Sequence, residues 1–417
     1  MKRPDVDVLI AGGGLAAQRC CETLRRLGFD GRIVVLCEEP CAPYDRPPLS
    51  KSMLTDAREP QKLAFRSGEW YAAHGVELLL GIAARELDLA AHTVALQARR
   101  GASRGGTLSY RQLVIATGSR PRRLPALPIG GVVHELRTHA DAQALRAALR
   151  AGHGRLAVLG AGLVGMEVAS SARTLGLDVT LIEATSTPLA RALPPALGHW
   201  LASVHRAHAI DVHLATTVDR AVLRGSGARL ELSDGTAVGA GTVLVAAGTS
   251  PATEWLASSG LGAGPIPTDA GGRTRFPGVY AAGDAACFPD PYLDERIPSQ
   301  HWEAAARQGA AVARAIVGLA PVQPSPSMFW SDQHGHRIQF VGHTPPDCEI
   351  EFDRDPAHDG SFAAWITRDQ RPAAALLVDR PDALPRARQW IAGAHARAVA
   401  DPRAVADPRA NDARRAA

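Results

Sequence analysis

The hydrophobic rhythm of the chain changes once. Up to about residue 320 it is marked by short continuous apolar runs, each closed by small residues. From about Pro321 onward, apolar and polar positions alternate instead. Continuous short runs mark strands buried on both faces, as in parallel sheets, whereas alternation marks antiparallel strands with one wet face. The continuous runs are Val8 to Ala11, Ile33 to Cys37, Leu113 to Ile115, Leu156 to Leu159, Val179 to Ile182, Val243 to Ala247 and Val279 to Ala282. Between the first two, a helical stretch ends over Leu24 to Gly28, with Gly28 in the C-cap position. The order strand, glycine-rich turn, helix, strand spans residues 5–39 and recurs over 155–183. The alternating segments Arg337 to Val341, Cys348 to Phe352 and Phe362 to Ile366 predict antiparallel strands, and Pro381 to Ile391 predicts a closing helix.

The two turns carry the chemistry. One reads Gly12-Gly13-Gly14-Leu15-Ala16-Ala17, the other Gly160-Ala161-Gly162-Leu163-Val164-Gly165. Gly12 and Gly160 allow a tight turn, Gly14 and Gly162 let the backbone approach a pyrophosphate, and the small residues Ala17 and Gly165 let helix pack on strand. The helix N-terminus behind each turn offers free N–H groups and a positive dipole end to phosphates. Glu38 ends the second strand of the first unit, placed for a ribose hydroxyl, and Glu183 ends that of the second. An acid at Glu183 favours NADH and repels the 2′-phosphate of NADPH, and Ala184 to Thr187 hold no arginine to offset that charge. A lone fingerprint is weak, but two in full context imply two dinucleotides bound at once and electrons passed between them.

These features predict an α/β fold of two Rossmann-like dinucleotide-binding domains, one inserted in the other, plus a small α+β C-terminal domain. The expected bounds are 1–119 with 245–320 for the first, 120–244 for the second and 321–395 for the third. Gly118 to Pro128, rich in arginine and proline, reads as the linker out of the first domain. Residues 396–417, where Val399 to Ala404 repeats as Val405 to Ala410, read as a disordered tail.

A net charge of +4, from 46 basic and 42 acidic side chains, argues against a nucleic-acid binder. Asp7 interrupts the opening apolar run, so it reads as a strand and not a signal peptide. No apolar run reaches the roughly 18 residues of a bilayer span, so a soluble cytoplasmic protein is expected. The six cysteines show neither zinc-ligand spacing nor a secreted disulfide framework, so no metal site is expected.

The string Pro43-Tyr44-Asp45-Arg46-Pro47-Pro48-Leu49-Ser50-Lys51 resembles the FAD-binding loop of the ferredoxin reductases that serve bacterial cytochromes P450 and aromatic-ring dioxygenases. The resemblance continues through Ala116 to Pro121, Leu136-Arg137-Thr138, the second fingerprint, Ala282-Gly283-Asp284, His301-Trp302 and Phe329 to Gln333, about 390 of the 417 residues. It implies a glutathione-reductase-like fold with FAD in the first domain and NADH in the second. It further implies that Asp284 bonds the FAD ribityl chain, that Arg46 and Arg137 contact FAD, and that Thr117 and Gly118 pack against it. Lys51 would lie beside the reactive flavin edge, paired with Glu167, as a cation stabilising the reduced flavin. Trp302 and Trp330 resemble residues near the flavin rings and the ferredoxin-facing side. Ala16, Ala84 and Gly248 complete the expected cofactor-binding set. Gln300 and Ala304 depart from the family, which usually has Glu and Asn there.

The implied activity is hydride transfer from NADH to FAD, then single electrons to a small acidic [2Fe–2S] ferredoxin feeding a P450 or an aromatic-ring dioxygenase. A monomer or weak dimer is expected. Two other readings stay open: an NADH-dependent reductase of a small molecule such as monodehydroascorbate, and a non-catalytic NADH-binding redox sensor. Cys37 and Cys41 flank the ribose position and are separated by three residues, where disulfide reductases have four. They read as structural, so no thiol relays the electrons.

Overall fold

The computed structural model describes residues 4–56, 63–98, 105–152, 154–290, 292–293, 295–298, 300–322 and 325–400. The first fingerprint stands on a seven-stranded sheet. Its parallel part runs Val76–Leu80, Ile33–Cys37, Val6–Ala11, Gly106–Ile115. Gly106–Ile115 is long enough to do two things. Its far half pairs in parallel with Val6–Ala11, and its near half pairs antiparallel with Thr93–Ala98. Val279–Ala281 returns from far along the chain to lie beside it, with Val279 opposite Leu113. That return is the structural signature of an insertion.

The inserted unit carries five parallel strands in the order Ile210–His213, Val179–Ile182, Leu156–Leu159, Thr242–Val245, Val133–His134. Every residue of Leu156–Leu159, Val179–Ile182 and Thr242–Val245 is buried, as the continuous apolar runs require. An antiparallel trio, Val218–Arg224, Gly227–Leu232 and Ala237–Ala240, covers one flank. The expected linker is more ordered than its composition suggests. Ser119–Pro121 pairs antiparallel with Thr249–Pro251, so the outgoing and returning crossings are tied as a two-stranded ribbon.

The third unit is an antiparallel sheet of five strands in the order Met328–Gln333, His336–Gly342, Arg371–Val378, Phe362–Arg368, Glu349–Phe352. Sequence patterning finds three of these and misses two. Arg371–Val378 carries a continuous apolar run instead of alternation. Met328–Gln333 does alternate, but its buried positions are Phe329, Ser331 and Gln333, so polar side chains occupy the inner face. One face of this sheet packs on the helix Leu384–Ala400 and the turn before it, through Ala363, Ala375 and Leu377 against Ala387 and Ala383. The other joins the inserted unit in one core, where Phe340, Phe362 and Leu376 meet Leu193, Leu197 and Leu201. The closing helix runs to Ala400, so the expected tail cannot begin at residue 396. Residues 401–417 lie outside the described residues.

Candidate functional site

A cavity of about 970 Å³ opens where the three units meet. The first loop forms its floor. Gly12 has φ +117°, and a Cβ there would stand 2.1 Å from the carbonyl oxygen of Ala116. The loop therefore lies directly on the end of Gly106–Ile115, and only glycine fits. Cys37 packs beneath it, since a Cβ on Gly13 would come within 2.6 Å of the Cys37 Sγ. On the Cβ side of Gly14 nothing lies within 4 Å. This is a cradle with its backbone bared to the cavity, followed by the N-terminus of the helix Leu15–Arg26. Ala17 is wholly buried in the core. Ala16 instead meets the helix Trp302–Ile316, where Gly309 allows close crossing.

The cavity wall is charged and cross-braced. Asp284 Oδ2 accepts from Ser119 Oγ at 2.7 Å and from Arg137 Nη2 at 2.9 Å. Arg137 is held by the helix that follows it. Thr138 and Asp141 form a reciprocal capping box, and Asp141 Oδ2 also accepts from the Arg137 N–H. The Arg137 Nε is buried without a hydrogen-bond partner among the described residues. A donor left so beside an open cavity fits an anionic or polar ligand. Arg46 donates to the Arg137 carbonyl at 2.7 Å and to Glu39 Oε1 at 3.0 Å, and Tyr44 donates to Glu39 Oε2 at 2.7 Å. Glu39 is thus a brace, while Glu38, met by Arg120 Nη2 at 3.2 Å, lines the cavity. Thr117 donates to the Ala252 carbonyl, and Gly118, at φ +72°, leaves room for Arg137 Nη2. Ala84 also lines the cavity.

Lys51 Nζ stands 2.7 Å from Glu167 Oε1. Glu167 is buried, and a buried carboxylate persists only when paired and hydrogen-bonded. Ser50 and Ser331 supply those bonds, at 2.5 Å to Oε2 and 2.6 Å to Oε1. Trp302 Nε1 donates to Asp45 Oδ1 at 2.7 Å, and its ring meets Trp330 edge to face at 5.6 Å. Gln300 is exposed and accepts from Thr249 Oγ1, whereas Ala304 is buried. His301 also lines the cavity, stacked on Phe329, with its pKa lowered to about 4 by burial.

The second fingerprint repeats the cradle elsewhere. Gly160 has φ +111°, and its Cβ would stand 2.4 Å from the Ala246 oxygen; a Cβ on Gly165 would stand 2.0 Å from the Gly160 oxygen. Gly162, like Gly14, is open. Glu183 closes the loop: Oε2 accepts from Ala161 N at 2.6 Å, and Oε1 from Thr185 N at 2.8 Å. Gly160, Gly162, Gly165 and Glu183 do not line the large cavity, and neither does Gly248, which stands at φ +91° just before the ribbon. The helix Leu163–Thr174 bridges the two places, since Leu163, Val164 and Glu167 reach the large cavity from behind the second loop.

Sequence reasoning named both members of the ion pair but not the hydroxyls that hold it, although Ser50 and Ser331 both fall in the segments that carry the resemblance. It also missed Ser119 on Asp284 and Asp45 on Trp302, whose partners are 165 and 257 residues away in the chain. All six cysteines are free thiols. Among the described residues no cluster offers a metal site, and no helix is long and apolar enough to cross a membrane.

Two glycine-rich cradles, one opening on a large cavity with charged braces in its wall and one outside it, fit a two-dinucleotide oxidoreductase. The chain belongs to the pyridine nucleotide-disulphide oxidoreductase family, whose pattern matches residues 6–309, and a reductase C-terminal domain matches residues 328–414. FAD and NADH are its cofactors. It is 36% identical to the anthranilate 1,2-dioxygenase system ferredoxin–NAD(+) reductase component of Burkholderia cepacia, over 94% of this chain and 95% of that one. It is 35% identical to the benzene 1,2-dioxygenase system ferredoxin–NAD(+) reductase subunit of Pseudomonas putida, over 90% and 89%. Among solved structures, the covalent putidaredoxin reductase–putidaredoxin complex matches with a TM-score of 0.86 at 28% identity, covering 93% of each chain.

Proposed function

We propose that the chain is an NADH-dependent ferredoxin reductase, with FAD in the large cavity and NADH on the second cradle. FAD supplies the chemistry that turns a two-electron donor into one-electron steps. The chain's own residues bind, orient and shield. Gly12, Gly14 and the following helix end take the FAD pyrophosphate, Glu38 its adenosine ribose, and Asp284 its ribityl chain. Arg46, Arg137, Thr117, Gly118, Ala84 and Trp302 line the remainder. Gly160, Gly162 and Gly165 take the NADH pyrophosphate, and Glu183 its ribose. Lys51, held by Glu167, sets a fixed cation beside the reacting edge. The domain bounds given above, 1–119 with 245–320, 120–244 and 321–395, divide these tasks.

The observation that carries the reading is the Lys51–Glu167 pair. Lys51 comes from the first unit and Glu167 from the helix behind the second cradle, which supports a meeting of the two dinucleotides at this pair. The acceptor is a small acidic [2Fe–2S] ferredoxin of an oxygenase system, reached without a thiol relay. The protein works in the cytoplasm as a monomer or weak dimer. Cytochrome c reduction by NADH, with and without ferredoxins encoded beside the gene, tests this. Acceleration by one such ferredoxin, weakening as salt rises, is expected. Rapid reduction of monodehydroascorbate with no ferredoxin effect would replace this reading.

A further inference from the structure

A file of buried polar side chains leads away from the ion pair into the interior. Ser331 Oγ lies 2.6 Å from Glu167 Oε1, and Gln333 Nε2 lies 2.8 Å from Ser331 Oγ. His205 Nε2 follows at 2.9 Å from Gln333 Oε1, and His334 Nε2 at 3.2 Å from His205 Nδ1. Ser331, Gln333 and His205 are 1%, 3% and 0% exposed. Ser331 and Gln333 sit on the inner sheet face beside Phe329, where apolar residues would pack more simply. Polar groups in such a place are costly unless every one is hydrogen-bonded, and here each is.

Donor and acceptor chemistry fixes the direction of the file. An ionised carboxylate only accepts, so Ser331 gives its single proton to Glu167. Its oxygen is then free only to accept, so Gln333 turns its NH₂ toward it and its carbonyl toward His205. That carbonyl requires an N–H at Nε2, and burial, which lowers the His205 pKa to about 4, keeps the ring neutral, so His205 is the Nε2–H tautomer. His205 Nδ1 is left bare and accepts from the Nε2–H of His334. Every proton in the file points toward Glu167.

We infer that Ser331, Gln333 and His205 are positioning residues that hold the Glu167 carboxylate oriented under Lys51. The inference deepens, and rests on, the placement of the Lys51–Glu167 pair beside FAD. It gives the C-terminal domain a part in the chemistry. Ser50 belongs to the first unit, Glu167 and His205 to the inserted one, and Ser331 and Gln333 to the third. The far end is pinned as well. His334 opens a two-residue hairpin turn at φ +51°, its backbone N–H donates to Ser170 Oγ at 2.8 Å, and its ring stacks on His208 at 4.0 Å.

The test is stopped-flow reduction of the FAD-loaded enzyme by NADH, without ferredoxin, together with the ¹⁵N spectrum of the histidine rings. Ser331→Ala should slow reduction about tenfold through loss of one bond to a charged group. Its NADH dissociation constant should stay within about twofold of the parent. Ser331→Thr, which keeps the hydroxyl, should restore most of the rate. The spectrum of the unsubstituted protein should show His205 as Nε2–H. A Ser331→Ala enzyme reduced at the parent rate, a Ser331→Thr enzyme as slow as the alanine variant, or His205 as Nδ1–H overturns the inference. Lys51→Ala separates the levels. If it slows reduction while Ser331→Ala does not, the placement of the pair stands and this inference alone falls. If Lys51→Ala changes nothing, the placement itself is wrong and the inference falls with it.

Discussion

The two cradles are built alike at the turn and differently around it. In both, the first glycine lies so close to the end of the neighbouring strand that a Cβ would overlap a carbonyl oxygen, at 2.1 Å for Gly12 and 2.4 Å for Gly160. In both, the second glycine faces open space. The surroundings then diverge. The first cradle opens on a cavity of about 970 Å³ braced by Arg46, Arg137 and Asp284 from distant segments. The second lies outside that cavity, and its acid is already held by its own loop through Ala161 and Thr185. Enclosure slows release, and an open cradle permits exchange. On the proposed assignment, the first cradle would keep its FAD and the second would exchange NADH with each turnover.

The sharpest way to break this comparison is to add one methyl group to each loop. Gly12→Ala places a Cβ against backbone and forces an unfavourable positive φ, a strain of about 1–3 kcal/mol before any clash. The variant should purify without bound FAD, seen as loss of the visible flavin absorbance. Gly160→Ala meets the same obstacle at the other cradle. It should keep its FAD and raise the KM for NADH about tenfold or more, since an exchanging ligand can rebind a damaged site at higher concentration. A colourless Gly160→Ala variant would show that the two cradles are not functionally distinct.

The next largest effect belongs to the group between them. Lys51→Ala should slow flavin reduction by NADH about a hundredfold, the scale seen when a fixed charge-stabilising group is removed, and leave FAD bound. Glu183→Ala should act on the second cradle alone. NADH preference over NADPH should shrink about tenfold, because a carboxylate facing the 2′-phosphate is gone. Comparing kcat/KM for the two nucleotides checks this. Equal use of both by the unsubstituted protein would remove the role assigned to Glu183.

How far these regions could be read from sequence follows the same divide. Cradles are local: turn, helix end and terminal acid fall within about 30 residues, so spacing alone exposes them. Both fingerprints and the buried parallel strands are legible for that reason, and the insertion is inferred from the apolar runs that resume after the second unit. The braces are not local. Asp284 is reached by Ser119 and Arg137, and Glu167 by Ser50 and Ser331, across 117 to 165 residues. Met328–Gln333 hid as a strand for a related reason: its inner face carries Ser331 and Gln333, which serve a distant carboxylate and blur the apolar pattern.

Acid should expose a further asymmetry. Burial lowers the pKa of His205 and His301 to about 4 and that of His334 to about 3, and all three sit at or near the contact with the C-terminal sheet. Unfolded histidines bind protons near pH 6.5, so below that pH the unfolded state holds more protons than the folded one. Stability is therefore intact above about pH 6.5 and declines as pH falls from there toward about 4. Melting temperature followed over this window should drop for the parent, and His205→Gln should flatten part of the slope. An unchanged slope would mean His205 is not protonated on unfolding in this range.

The smallest expected effect concerns the family's own name. A disulphide relay needs two thiols that alternate between thiolate and disulfide, and attack requires the thiolate. Here all six cysteines are free, and burial disfavours the thiolate where a relay would need it. Cys37 is raised well above the ordinary thiol value and wedged under Gly13, and Cys41 is pushed up to about 11 by burial and by Glu39. At neutral pH neither is a nucleophile. The place next to the ion pair is taken by Pro47 to Ser50, a single 3₁₀ turn that delivers Lys51 and leaves no room in the chain for a thiol pair. Cys41→Ser should therefore leave NADH-driven ferredoxin reduction within about twofold of the parent, since no bond to sulfur forms or breaks in turnover. Alkylation with iodoacetamide at neutral pH should be slow and equally without effect. A Cys41→Ser enzyme that accepts electrons from NADH but no longer passes them on would return a thiol to the pathway between the flavin cavity and the acceptor.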